Sequence, residues 1–222
     1  MTNLLAIDSA GTHCSVGLEL DGNRFQRSEH VERRHNERLL PLLEALLLEA
    51  GSSRREFLEK LDAVAFTRGP GSFTGGRIAA AAAQALALTA GCPVVRVSSS
   101  ALLARTCFAR RELAGVRTSI RSRRDLYYLA AYRNVEGLPH LEAADQLYSA
   151  MPERGILAAD APWPLVGEQP DWWRGQDGLP VIGDPGAMLD LAAALFEEGA
   201  AVDAAEGLPE YLEGDTPWRK SS

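Results

Sequence analysis

The nine residues Gly69-Pro70-Gly71-Ser72-Phe73-Thr74-Gly75-Gly76-Arg77 constrain this chain more than any others. They follow the apolar run Asp62-Ala63-Val64-Ala65-Phe66-Thr67 and precede an alanine-rich stretch, the order of a strand, a glycine turn and a helix. In that order, backbone N–H groups and a helix N-terminus can face an anion. The residues that would complete a phosphate site are missing. Counted from Gly71, Gly76 has the spacing of a Walker loop, but Arg77-Ile78 stands where Lys and Ser or Thr would reach the terminal phosphates and hold magnesium. Counted from Gly69, Thr74 breaks the G-x-G-x-x-G pattern. Two readings stay open. In one the loop binds nucleotide, with Asp8, Gly71, Gly75 and Arg77 as candidate contacts; in the other, two backbones approach too closely for side chains.

The elements around the loop set the fold class. Residues 4–7 form a continuous apolar run, as a buried central strand does, and residues 15–20 alternate like a half-buried neighbour. Asp21-Gly22 marks a hairpin turn into a third strand near residues 23–29. A helix is expected over 38–50, where Leu39, Leu42, Leu43, Leu46 and Leu47 recur at helical spacing and Leu40 and Leu48 widen the stripe. That width predicts two covering surfaces, the chain's own sheet and something else. Pro41 places the helix start near Glu37 or Arg38. After a strand at 63–67 comes a helix at 78–90 with eight alanines, suited to close packing on more than one side, and then a strand at 93–97. This is the order of a ribonuclease-H-like unit, half of an actin-type or sugar-kinase-type ATPase. Strands at 116–120 and 126–132 begin a second unit in outline. Residues 151–184 read as irregular, 187–197 as a short helix and 214–222 as a loose tail. The expectation is an α/β, two-lobed actin-like fold (ASKHA, ribonuclease-H-like), with lobes at 1–104 and 105–222 and the second reduced.

Composition narrows the function classes. A chain of 222 residues with 46% hydrophobic content can bury one sizeable core or two small ones. No apolar run reaches membrane-spanning length, and Met1-Thr2-Asn3 leads into the first strand without a basic leader, so a cytoplasmic, membrane-free protein is expected. Cys14, Cys92 and Cys107 are too widely spaced for a disulfide framework or a thiolate zinc site and read as small buried residues. The net charge of −7 opposes nucleic-acid binding by the chain alone. Its local exception is Arg105, Arg110, Arg111, Arg117, Arg121, Arg123 and Arg124, either a solvated helix end and loop or a contact for phosphate or an acidic partner.

No catalytic set can be assembled. A two-lobed ATPase needs an acid at the end of the first strand of each lobe; Asp8 fits the first, but Arg121 occupies the second position. A nuclease needs converging carboxylates, and although Glu44 lies on the first helix, the fourth strand ends in Thr67-Arg68. His13, His30, His35 and His140 have no metal-ligand spacing, and Ser72 and Ser98 to Ser100 read as turn and capping residues.

Leu5-Ala6-Ile7-Asp8-Ser9 with Cys14-Ser15-Val16, His35-Asn36-Glu37-Arg38-Leu39-Leu40-Pro41, the stretch Arg68 to Arg77, and Tyr211-Leu212 with Trp218-Arg219-Lys220 resemble the TsaB (YeaZ) family. The resemblance implies an actin-like fold and a non-catalytic role beside TsaD in forming N6-threonylcarbamoyladenosine at position 37 of tRNA. The threonylcarbamoyl group would come from threonylcarbamoyl-AMP, and TsaD would hold the catalytic metal with a His-x-x-x-His pair. Ser99 and Leu103 occupy the matching positions here. Pairing would use the first two helices, with Leu39, Leu42, Leu43, Leu46, Leu47, Ala79, Ala83 and Leu86 as interface residues. The resemblance further implies no cofactor of the chain's own, with ADP or ATP at most at the complex interface. Its other implied partners are a TsaE-like ATPase, a second copy when the chain is alone, and tRNA through the complex. Three departures stand out: Arg121 replaces a usual Asp, Glu213 replaces a common Arg, and 151–184 matches poorly. The competing reading is an ATP-dependent small-molecule kinase of the same superfamily, using Asp8 and the glycine loop.

Overall fold

The computed structural model describes residues 2–31, 34–123, 125–174 and 178–212. Arg124, Glu213 and the tail from 214 lie outside them. Strands β1 (Leu4–Asp8), β2 (His13–Leu20), β3 (Asn23–His30), β4 (Ala63–Gly69) and β5 (Val94–Ser98) form a mixed sheet in the order β3-β2-β1-β4-β5. β1 runs antiparallel to β2 and parallel to β4, with Ile7 opposite both Val16 and Phe66. Its apolar run is continuous because both faces are covered. Leu5 and Ile7 join one core with helices α1 (His35–Glu49) and α3 (Phe73–Ala90), while Leu4 and Ala6 join another with α5 (Pro185–Glu197).

A second sheet contains β6 (Gly115–Arg123), β7 (Leu126–Val135), β8 (Leu138–Tyr148) and β9 (Leu165–Gly167) in the order β8-β7-β6-β9. β9 is parallel to β6 and the other pairs are antiparallel, so this sheet repeats the order and sense of β3-β2-β1-β4. The hairpin turns repeat as well. Asp21 and Gly22 have φ of 52° and 78°, and Glu136 and Gly137 have 53° and 87°, two left-handed residues in succession as a two-residue turn between twisted strands requires. Element order and sheet topology establish an α/β fold of the actin-like, ribonuclease-H-like type. α4 (Ser99–Phe108) spans the 104/105 boundary, and α5, from the second half of the sequence, packs on the first sheet.

Several boundaries differ from expectation. α1 begins at His35, which puts Pro41 at its seventh residue rather than in the first turn. The early start is fixed by Glu37 N and Arg38 N donating to Arg34 O at 3.1 Å, and by a 3.0 Å contact between His35 Nε2 and Gly11 O. Pro41 and Glu37 are both exposed, so water can serve the carbonyl that Pro41 leaves without a helical donor. α3 begins five residues earlier than the expected start at 78, at Phe73, because Ser72 caps it by accepting from Gly75 N at 3.1 Å. A further helix, α2 (Arg54–Lys60), is capped by Ser53, which accepts from Glu56 N at 3.2 Å. β9 lies inside the stretch expected to be irregular; three residues are enough where Leu165 and Val166 are buried beside β6.

The arginine-rich stretch divides by environment. Arg105 pairs with Asp190 at 2.6 Å and Arg110 with Asp184 at 3.0 Å. Arg117 is fully buried on β6, stacked 4.7 Å from the Trp173 ring, with Nη1 donating to Ala158 O. Among the described residues its Nε and Nη2 have no hydrogen-bond partner, and burial pulls its pKa below the usual arginine value. A half-satisfied buried cation contributes little to stability. Replacing it with an unbranched apolar side chain, Arg117→Met, is expected to leave the melting temperature unchanged or raised, whereas Arg117→Ala lowers it by opening a cavity; calorimetry of the two variants separates charge from volume.

Candidate functional site

The glycine turn is clamped to the β1–β2 turn, backbone against backbone. Ser72 N donates to Ala10 O at 2.7 Å, and Ser9 Oγ donates to Gly75 O at 2.7 Å. A Cβ at position 75 would fall 1.8 Å from Ser9 O, and one at position 71, where φ is +152°, would fall 2.6 Å from Ala10 O. No side chain fits at either place. Three amides that could otherwise face a phosphate have partners within the chain: Ser72 N on Ala10 O, Gly75 N on Ser72 Oγ and Gly76 N on Ser72 O. Arg77 is held elsewhere, its guanidinium 3.8 Å over the Phe73 ring and its Nε donating to Tyr211 Oη at 2.8 Å.

Asp8 ends β1 at a cavity of about 240 Å³ between the two sheets. Its Oδ1 accepts from Ala10 N at 3.0 Å and from Thr67 Oγ1 at 2.7 Å. Burial nevertheless raises its pKa above the ordinary value, since those bonds offset only part of the lost hydration. The cavity wall includes His13, Ser99, Leu102, Leu103, Ile182 and Glu168, and among the described residues no Lys or Arg lines it. Ser99 and Leu103, the positions matched to a His-x-x-x-His pair, both border this space; neither is a metal ligand. Among the described residues no group of three or more His, Cys, Asp or Glu could hold a metal ion. The arrangement receives an uncharged or cationic group more readily than a phosphate, which would face two carboxylates without a counter-charge.

The helical side of the first sheet presents a different surface. Leu39, Leu42, Leu43, Leu46 and Leu47 are at most 8% exposed and lie in the chain's own core, as do Ala79 and Ala83 at 0%. The broad stripe is therefore divided: its inner part is core, and its outer edge is Leu40 at 61% and Leu48 at 83% exposure, on the same helical face as Glu44 between them. Between α1, α2 and α3 lies an apolar groove of about 230 Å³, floored by Leu43, Leu47, Phe57 and Leu58 and edged by Leu40 and Leu86. Glu44 and Arg54, paired with each other and exposed, form its polar rim. Of the expected interface residues, Leu86, Leu43 and Leu47 border the groove. Sequence reasoning missed Phe57 and Leu58 because it missed α2, although Ser53-x-x-Glu56 has the form of a capping box.

The family model described as TsaD, tRNA N6-adenosine threonylcarbamoyltransferase, matches residues 28–154. The chain is 33% identical to the tRNA threonylcarbamoyladenosine biosynthesis protein TsaB of Escherichia coli (strain K12), over 98% of this chain and 97% of that protein. It is 36% identical to the protein of the same description from Haemophilus influenzae (strain ATCC 51907 / DSM 11121 / KW20 / Rd), over 98% and 96%. The solved structure of YeaZ from Pseudomonas aeruginosa superimposes with a TM-score of 0.82 at 32% identity, covering 96% of this chain and 100% of that one.

Asp8 gives the cleft a measurable property. With its folded pKa raised, the carboxyl contributes stability while protonated and loses it as pH rises through that pKa, so ionised Asp8 is unfavourable at neutral pH. Asp8→Asn is expected to raise the melting temperature at pH 7.5, by about 2–4 °C for each kcal/mol relieved. The gain should shrink as pH falls toward and below the ordinary carboxylate value, where folded and unfolded chains both hold the proton; thermal scans across that range check it.

Proposed function

This chain belongs to the TsaB family of tRNA threonylcarbamoyladenosine biosynthesis proteins, and from that footing we propose that it is the non-catalytic partner of a TsaD-like subunit. In this reading the TsaD-like subunit supplies the metal and transfers the threonylcarbamoyl group from threonylcarbamoyl-AMP to N6 of adenosine 37 in tRNA. The observation that carries it is the exposed apolar face on α1, α2 and α3. A groove of leucines and a phenylalanine, edged by Leu40 and Leu86, suits an amphipathic helix from another polypeptide, with the Glu44–Arg54 pair at the rim and exposed Leu48 one turn beyond Glu44 on α1. Alone, the same face pairs with a second copy. A TsaE-like ATPase and tRNA join through the complex in the cytoplasm.

The kinase reading has less support. ATP in the Asp8 cavity would set its phosphates against Asp8 and Glu168, with Arg77 engaged by Phe73 and Tyr211 instead. Adenine nucleotide at the complex interface would need cationic groups from the partner.

Because Leu46 is 0% and Ala83 0% exposed, a charge or bulk placed there would unfold the chain before it tested binding. The exposed positions are the informative ones. The double variant Leu40→Glu, Leu48→Glu is expected to keep the wild-type melting temperature and to lose co-elution with the TsaD-like subunit in gel filtration. The expected loss is about 2 kcal/mol or more, roughly thirtyfold or greater in affinity. Undiminished co-elution of the folded double variant would remove the interaction reading.

A further inference from the structure

A second, smaller cavity, of about 110 Å³, opens where the end of β4, the start of α4, the β7–β8 hairpin and the backbone around Glu210 meet. Its polar groups come from four separated parts of the sequence. Arg68 from β4 is ion-paired with Glu210, whose backbone N also donates to Arg68 O at 2.8 Å. Asp145 from β8 accepts a 2.5 Å hydrogen bond from Ser100 Oγ, a fully buried hydroxyl at the start of α4, and forms no ion pair among the described residues. Tyr132 from β7 is 4% exposed, and its hydroxyl is a long 3.4 Å from Ser98 Oγ. Ser98 Oγ accepts a 3.3 Å bond from Ala101 N and keeps a second lone pair.

The charges do not balance within this space. Glu210 has Arg68, but Asp145 has only a neutral donor, and two further oxygens beside it are weakly engaged. A primary ammonium carries one positive charge and three N–H donors. We propose that this cavity binds a primary ammonium group on a small aliphatic ligand, with Asp145 as its counter-charge and Ser98 Oγ and Tyr132 Oη as its other acceptors. Leu141, Ala144 and Leu212 line the same cavity and offer the ligand's stem an apolar wall. Arg68 determines which amines bind best: a ligand with an α-carboxylate can also engage the guanidinium, whereas a simple alkylamine cannot.

The site should be proton-linked. Burial pushes the Asp145 carboxyl up to about 6, against smaller lowering contributions from Ser100 and Arg68 and a raising one from Glu210. Tyr132, the other titratable group facing it, is driven above the ordinary tyrosine range by its own burial and stays neutral. Ammonium binding requires the carboxylate, so affinity should fall about tenfold between pH 7 and pH 5, following the ionised fraction of a group titrating near 6.

The test is an NMR titration of the full chain with propylammonium, L-alanine and propionate, at pH 7 and pH 5, for wild type and Asp145→Asn. The expected result is saturable shifts of the Ser98–Ser100 and Gly69 amides with propylammonium at pH 7, weakened about tenfold at pH 5. Those shifts should be absent with propionate and lost in Asp145→Asn, which leaves Glu210 in place. L-Alanine binding more tightly than propylammonium would identify an amino-acid site that uses Arg68; the reverse order would identify an alkylamine site. Absence of saturable shifts at pH 7, equal binding by a folded Asp145→Asn variant, or affinity independent of pH would each overturn the proposal.

Discussion

Direct backbone contact between Gly71–Gly75 and Ser9–Ala10 is the constraint on which the rest of the structure depends. It joins the ends of β1 and β4, adjacent parallel strands, and it fixes where α3 starts. Because the contact is carbonyl against Cα, it excludes side chains altogether, and a glycine turn that superficially matches a phosphate cradle is explained by packing. The amides bond to the neighbouring turn and to Ser72, and Arg77 lies over Phe73. One close approach thus brings the two halves of the first sheet together and removes the phosphate-facing groups from the cleft.

What is left in the cleft is a buried carboxyl, a second acidic residue and an apolar wall. Two like charges about 4 Å apart repel by about 4 kcal/mol at an effective dielectric near 20, so a lining without a cation among the described residues is a substantial barrier to a polyphosphate. The outer face of the molecule has the opposite character. There the chain exposes Leu40 and Leu48 on the helix that borders a groove reaching Phe57, an arrangement that stays wet in a monomer and dries when another surface covers it. A cleft poor in charge chemistry and a face rich in apolar area together suit a subunit whose work is to hold another protein.

Much of this was legible in the residues. The apolar run at 4–7, Asp21-Gly22, the strand at 63–67 and the alanine helix gave the first sheet and its order, because each pattern reports burial on a known period. The family was legible in the glycine turn and the His35 to Pro41 stretch. Other features were hidden for physical reasons. β8 is an edge strand with no fully buried residue, and its apolar residues keep no strict alternation to read, although Glu136-Gly137 repeats the Asp21-Gly22 turn. α2 is a single short helix with one buried residue, Phe57, and only its cap announces it. The width of the leucine stripe predicted two covering surfaces for α1, but not which leucines lie in the chain's own core, since that depends on where α2 and α3 pack.

Hydrogen–deuterium exchange of the chain, as a dilute monomer and saturated with the TsaD-like subunit, tests the central claim most directly. The account predicts slowed exchange concentrated in α1, α2 and the exposed side of α3, with the amides around Asp8 and the glycine turn unchanged. Protection centred on the Asp8 cleft, with the helical face still exchanging at its free rate, would contradict it.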